Sequence, residues 1–404
     1  MNPDGPVTLN NWMTSLNLIC YPRYEIGLMG TLLFIGQTIG ALILTHWADI
    51  FGRKKTMMFH GSIYALIIFA STFAGSITQV YVFIFFIGLF FVPRSSCIFT
   101  YIMEITPDKF HEDANLYVYI GDGLTFVISG IFVKYTRDPF LFLMILCIVT
   151  VISVIILTIF LPESPKFLYS KERYPELQKC FEQVQRTNKV PLDVSCKELV
   201  EQLKEAKNSS KSSHKSSFFN DLKILYESPE HRNSLIAVLG IWIYSSFNYY
   251  LIGYYVKYFP GDIFTNFLMM TVAEVIAPLA LRFVQGRFIT KYVVRYLLLA
   301  AAGSAVLFMI NTYFGSVALV PIIILLIRVF VKGIYSLGYY ANGKLFPTLV
   351  KTSIFSLTNG IGRPFSALST MVTEYTSHPG EIFLGTAVAF LFVSYLLPDS
   401  DNTE

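Results

Sequence analysis

The chain has 404 residues, 54% hydrophobic and only 14% charged, with a formal net charge of +4 and a mean hydropathy of +0.54. Soluble domains carry about 25% charged residues, so this balance excludes an ordinary soluble protein. Apolar runs long enough to cross a bilayer recur without the alternation of barrel strands, which predicts an all-α polytopic membrane protein.

Residues 1–24 form a polar segment with no basic stretch leading into an apolar core, so no cleavable signal peptide is expected. Eleven membrane segments follow, at 25–47, 56–76, 79–103, 115–135, 139–162, 233–256, 263–286, 294–313, 316–340, 352–374 and 381–397. They divide the chain into an N-terminal bundle (25–162), a hydrophilic loop (163–232), a C-terminal bundle (233–397) and a tail (398–404). Within the loop, Pro175–Phe181 predicts a short amphipathic helix, and Asn208–Ser217 reads as a flexible tether.

Between the first two segments stands Leu44-Thr45-His46-Trp47-Ala48-Asp49-Ile50-Phe51-Gly52-Arg53-Lys54-Lys55. Clustered cations stay on the cytoplasmic side. With this loop cytoplasmic, the same face collects Lys109, Arg282, Arg287, Lys291, Arg295, Lys344 and Lys351. The opposite face keeps only Arg23, Lys134, Arg137 and Lys257. The expected topology puts the N-terminus outside and the C-terminus in the cytoplasm, which hides the sequon Asn208-Ser209-Ser210 from glycosylation. Cys20, Cys97, Cys147, Cys180 and Cys196 have no CxxC spacing and read as free thiols.

The Asp49–Lys54 loop resembles that between helices 2 and 3 of the major facilitator superfamily. Leu161-Pro162-Glu163-Ser164-Pro165-Lys166-Phe167-Leu168 resembles the "PESPRWL" pattern shared by sugar porters and organic ion transporters. Three stretches are more similar to the organic cation/anion/carnitine transporter family: Asn11–Cys20, Ser246-Phe247-Asn248-Tyr249-Tyr250, and Lys344-Leu345-Phe346-Pro347-Thr348. Leu396–Ser400 resembles that family's "LPET". The resemblance implies a major facilitator fold of about eleven helices arranged five plus six, the first corresponding to family helix 2. Helix 1 is then missing from this sequence, for which three explanations stand open: an incomplete gene product, another membrane subunit that supplies the helix, or a relative that no longer transports. In such folds the substrate site lies at mid-membrane between the halves.

Ionisable groups inside spans are functional candidates, because each costs at least about 2.5–3.5 kcal/mol at a helix centre. The expected set is Arg94, Arg328, Lys332 and Arg363 against Asp122 and Glu274. Arg363 aligns with the arginine of "ARVGG" in anion- and carnitine-type members, and Arg328 with a basic residue of family helix 10. Guanidinium groups bind carboxylates bidentately, so the resemblance implies an anionic or zwitterionic organic substrate. Glu274 could carry a proton or be clamped by Arg363 or Arg328; Arg363 could equally serve only to hold helices together. Asp122 is a candidate partner for Arg94, beside Pro93, where a local helix break is expected. Phe247, Tyr249 and Tyr250 are candidate rings for the substrate's apolar body.

Asp49, Gly52, Arg53, Lys54 and Glu104 are the expected gating residues, with Asp49 coupling the cytoplasmic ends of the two halves. Several family positions are altered: Ile84 for an arginine, His111 for an arginine, Lys344 for a glutamate. Cytoplasmic ion pairs are therefore expected to lack partners. No P-loop, metal-ligand spacing or GxSxG is present, so neither an enzyme nor a cofactor, metal or nucleic acid is expected. The function expected is alternating-access transport of a small organic ion. The alternative is a transport-inactive subunit of a larger membrane complex.

Overall fold

The computed structural model describes residues 9–189, 195–209, 229–284, 287–346 and 351–398. Among them there is no β-strand. The helices are α1 (Arg23–Ile43), α2 (Arg53–Ser71), α3 (Ile77–Ile105), α4 (His111–Thr136), α5 (Pro139–Phe160), α6 (Tyr174–Asn188), α7 (Cys196–Ser209), α8 (Pro229–Tyr255), α9 (Ile263–Val284), α10 (Thr290–Phe314), α11 (Val320–Lys344), α12 (Lys351–Tyr375) and α13 (Pro379–Val393). Among the described residues, nine stretches are long and apolar enough to span a membrane. Helices α2 and α12 are of spanning length but less apolar.

Local chemistry sets the helix ends. Ser76 accepts the Gln79 amide at the start of α3, and Asp138 accepts the amides of Phe140 and Leu141 at the start of α5, with Pro139 at the first turn. Gly315, at φ +70°, ends α10 in the left-handed region. Helix α3 runs unbroken through Pro93, against the expected break; neighbouring helices can re-satisfy the backbone groups a proline frees inside a membrane. The polar stretch near the N-terminus forms a short helix, Trp12–Ser15, closed by a capping box between Asn11 and Thr14.

In the first half, α1 crosses α3 at backbone contact. A Cβ on Gly36 would lie 2.2 Å from the Phe85 carbonyl oxygen, one on Gly40 2.1 Å from that of Leu89, and one on Gly88 2.1 Å from that of Leu33. Gly36 and Gly40 form a GxxxG pair, which permits close approach where no hydrophobic force separates helix from lipid. Helix α2 packs on α3 and α5. The second half, α8–α13, buries two apolar clusters, one around Trp242, Leu298 and Leu337 and another around Ile252, Ile324 and Phe383.

The halves meet along two seams, α1 against α12 and α4 against α9; α4 packs chiefly on α9 rather than on its own half. The amphipathic helix expected at 175–181 is present as α6. With Pro165–Ser170 and α7 it closes a small core of Phe167, Leu168, Leu177, Cys180 and Val200. The tether at 208–217 lies outside the described residues beyond Ser209, as do Pro347, Thr348, Asp399 and Ser400. All five cysteines are free.

Candidate functional site

Four polar sites mark the two bundles. The first is sealed inside the second half. Glu274 on α9 accepts Arg328 Nε at 3.0 Å and NH2 at 2.9 Å on one oxygen, and Lys332 Nζ at 2.8 Å on the other. Arg328 and Lys332 stand one turn apart on α11 and reach the same carboxylate. Arg328 also donates to the Tyr249 carbonyl, and its guanidinium lies 3.5 Å from the centroid of the Tyr249 ring. All four residues are buried, with Arg328 5% exposed. Of the partners left open for Glu274, Arg328 holds it and Arg363 does not. Lys332 completes the cluster. Its position at i+4 from Arg328 was the available signal in the sequence.

The second site lies on the α1–α12 seam. Arg363 NH1 donates to Gln37 Oε1 at 2.6 Å, joining the halves near mid-helix. Its Nε is buried with no hydrogen-bond partner among the described residues. Gln37 is buried in α1 and was signalled only as a lone amide in an apolar run. Tyr250 lies within electrostatic reach of both Arg363 and Arg328. Its ring sits 4.4 Å from Phe34 across the seam and 4.9 Å from Tyr249. Phe247 is half-buried against the second apolar cluster. The structure thus joins Arg328, Glu274 and Tyr249 directly, with Tyr250 linking them toward Arg363.

Asp122 and Arg94 form no ion pair among the described residues. Asp122 is exposed on α4, and the Arg94 guanidinium lies 4.6 Å from the Tyr64 ring centroid.

The third site is the loop face. Gly52 has φ +105°, and a Cβ there would lie 2.3 Å from Glu163 Oε2. Both conditions demand glycine. Glu163 Oε1 accepts the amides of Arg53 at 2.8 Å, Lys54 at 3.0 Å and Ser164 at 2.9 Å. It therefore caps α2 with negative charge, a role its motif did not disclose. Arg53 NH2 bridges Asp49 at 2.9 Å and Glu104 at 2.8 Å. Lys54 Nζ donates to the Thr158 carbonyl at 2.9 Å. Asp49 pairs with Arg53 one turn along, and its side chain is 68% exposed; among the described residues no ion pair joins it to the other half. Among the described residues, Arg282 pairs with Asp113 at 3.0 Å between the halves on this face. The Arg53 guanidinium thus has two carboxylates; the side chains of Lys344 and Lys351 lie outside the described residues.

On the opposite face, Glu374 in the last turn of α12 is buried, accepting Lys257 Nζ at 2.5 Å and the Tyr258 hydroxyl at 2.6 Å. Glu374 is thus a buried carboxylate in the second half besides Glu274. Here Thr31 and Thr370 hydroxyls meet at 2.8 Å across the seam, and the Arg137 guanidinium lies 4.1 Å from the Phe264 ring centroid.

Two helical bundles meeting along paired seams, with charged groups held at mid-helix, define a polytopic membrane transporter fold. The sequence comparison agrees: residues 8–373 match the Major Facilitator Superfamily, and the chain belongs to that family. Relatives include Organic cation transporter 1 of Caenorhabditis elegans, 25% identical over 272 residues, and Organic cation/carnitine transporter 2 of Homo sapiens, 23% identical over 410 residues. These alignments cover 67% and 98% of this chain, but 46% and 71% of the relatives. The chain thus spans less than half the length of the nematode protein. Among solved structures, the partially occluded inward-open xylose transporter XylE from E. coli superposes with a TM-score of 0.70 at 12% identity, covering 95% of this chain and 91% of XylE. The family is one of transporters, not enzymes.

Proposed function

We propose that this protein is a secondary transporter of small organic ions, anionic or zwitterionic, working by alternating access. The observation that carries the reading is Arg363. It stands on the seam between the halves, holds a neutral amide with one arm, and has a buried Nε without a partner among the described residues. A half-buried guanidinium whose hydrogen-bond partner among the described residues is a neutral amide favours an incoming carboxylate, which it can bind bidentately. Arg328, by contrast, already has a carboxylate in Glu274. Arg363 therefore takes the substrate's negative group, and Tyr250 and Phe247 face its apolar body. Arg328, Tyr249 and Glu274 form the polar wall alongside. Asp122, exposed midway along α4, supports water access at that depth. The human relative's name joins organic cations with carnitine, consistent with a charged organic substrate.

In the proposed topology the Gly52–Arg53 loop, residues 163–232 and the C-terminal tail are cytoplasmic, and the N-terminus is outside. The halves comprise residues 25–162 and 233–397, moving about the two seams. Asp49, Gly52, Arg53, Lys54 and Glu104 stabilise one end of that motion. No specific observation favours the alternative of a transport-inactive subunit.

The test is uptake into proteoliposomes of a panel of radiolabelled organic anions, zwitterions and cations. Saturable uptake of an anion or zwitterion, lost in Arg363→Ala and partly kept in Arg363→Lys, is expected. Uptake restricted to cations, or indifferent to Arg363→Ala, removes the proposed role.

A further inference from the structure

We infer that the loop face carries a binding site for an anionic phospholipid, distinct from the transport seam. A cavity of about 680 Å³ lies where α2 begins and α5 ends, roofed by α6. Its charged lining is Lys54, Lys55, Arg173 and Lys179 with Glu163 and Glu176. Both acids are engaged: Glu163 caps α2, and Glu176 holds Arg173 through two hydrogen bonds of 2.7 and 2.6 Å. Lys54 reaches a carbonyl. Lys55 and Lys179 are exposed and have no anionic partner among the described residues. The cavity therefore presents uncompensated positive charge, sized for a phosphate-bearing group.

A second observation distinguishes a lipid from a soluble phosphate. Along the same two helices, deeper toward the membrane centre, runs an apolar groove of about 450 Å³. Its walls are Ser62, Leu66 and Phe69 on α2 and Cys147, Val151 and Ile155 on α5. The headgroup cavity includes Met58 and Thr158 of these helices, and the groove continues one turn farther along each. Gly61 keeps the helices close, since a Cβ there would lie 2.7 Å from Val154 Cγ2. Basic cavity and apolar groove follow one line, as a headgroup and its acyl chain require. Binding there would tie α6 to the membrane surface.

The experiment measures ligand-induced shifts of thermal unfolding for the full chain in neutral detergent. The probes are dioctanoyl phosphatidylinositol 4-phosphate, dioctanoyl phosphatidylcholine and inositol phosphate. The expected result is saturable stabilisation by the phosphoinositide alone. Near a membrane surface each lysine contributes about a fivefold effect on affinity, so Lys55→Gln with Lys179→Gln should weaken binding about thirtyfold. The single change Lys179→Gln, on the exposed side of α6, should weaken it about fivefold and serves if the double variant does not fold. The distant Lys197→Gln should leave it unchanged. Ser62→Phe, which fills the groove, should weaken lipid binding without altering any response to inositol phosphate. Equal stabilisation by inositol phosphate would overturn the lipid assignment in favour of a soluble phosphate. Equal stabilisation by phosphatidylcholine, no stabilisation by any probe, or indifference to the lysine changes would overturn the site.

Discussion

Glu163 and Arg53 lie 110 positions apart, yet the carboxylate of one accepts the backbone amide of the other at 2.8 Å. The residue that opens the hydrophilic loop thereby caps an early helix of the first bundle. The cap requires Gly52, because a side chain there would both occupy a left-handed backbone and strike Glu163. Gly52→Ala should destabilise the protein by about 1–3 kcal/mol, and Glu163→Ala by about 1–2 kcal/mol through loss of the cap. Unfolding midpoints in detergent check both. A Gly52→Ala protein as stable as the parent would contradict this geometry.

Glu274 should be far less replaceable than its partners. Glu274→Gln leaves Arg328 and Lys332 buried together without a counter-ion, at a cost of about 3–5 kcal/mol. Combining it with Lys332→Met should recover part of the loss, because one buried charge is removed. A double-mutant cycle on thermal stability measures the coupling; strict additivity would mean the three groups act separately.

The α1–α3 crossing tolerates no side chain. Gly40→Leu should force the helices apart and lower the yield of monodisperse protein in size-exclusion chromatography, since its Cβ would fall 2.1 Å from the Leu89 carbonyl. Gly303→Leu, where nothing lies within 4 Å of an added Cβ, is the matched control and should behave as the parent.

Thiol labelling reports both burial and sidedness. Cys20 is exposed, whereas Cys180 is buried, donates to the Glu163 carbonyl at 3.4 Å, and has its thiol pushed up to about 11 by burial. At neutral pH Cys180 is protonated and shielded, so native protein should resist maleimide there and react at Cys20. A membrane-impermeant maleimide applied to intact cells should label Cys20 from outside under the proposed topology. Protection of Cys20 until the cells are opened would reverse that topology.

Composition and apolar run length were enough to establish a helical membrane protein, because each spanning segment must satisfy its own backbone in lipid and bears that requirement in its local sequence. The Pro-Glu-Ser-Pro stretch and the Asp49–Lys54 loop pointed to the family for the same reason: each is contiguous. Partnership was not legible in this way. Glu274 could have served Arg363 or Arg328, and folding brought α9 and α11 together so that Arg328 and Lys332 share it. Gln37 and Arg363 stand 326 positions apart, and Glu374, at the end of its helix, meets Lys257 and Tyr258 from 117 and 116 positions away. Spacing along one chain encodes which face of a helix a residue occupies. Only packing decides which other face lies opposite, and therefore which charges are answered and which are left to meet a ligand.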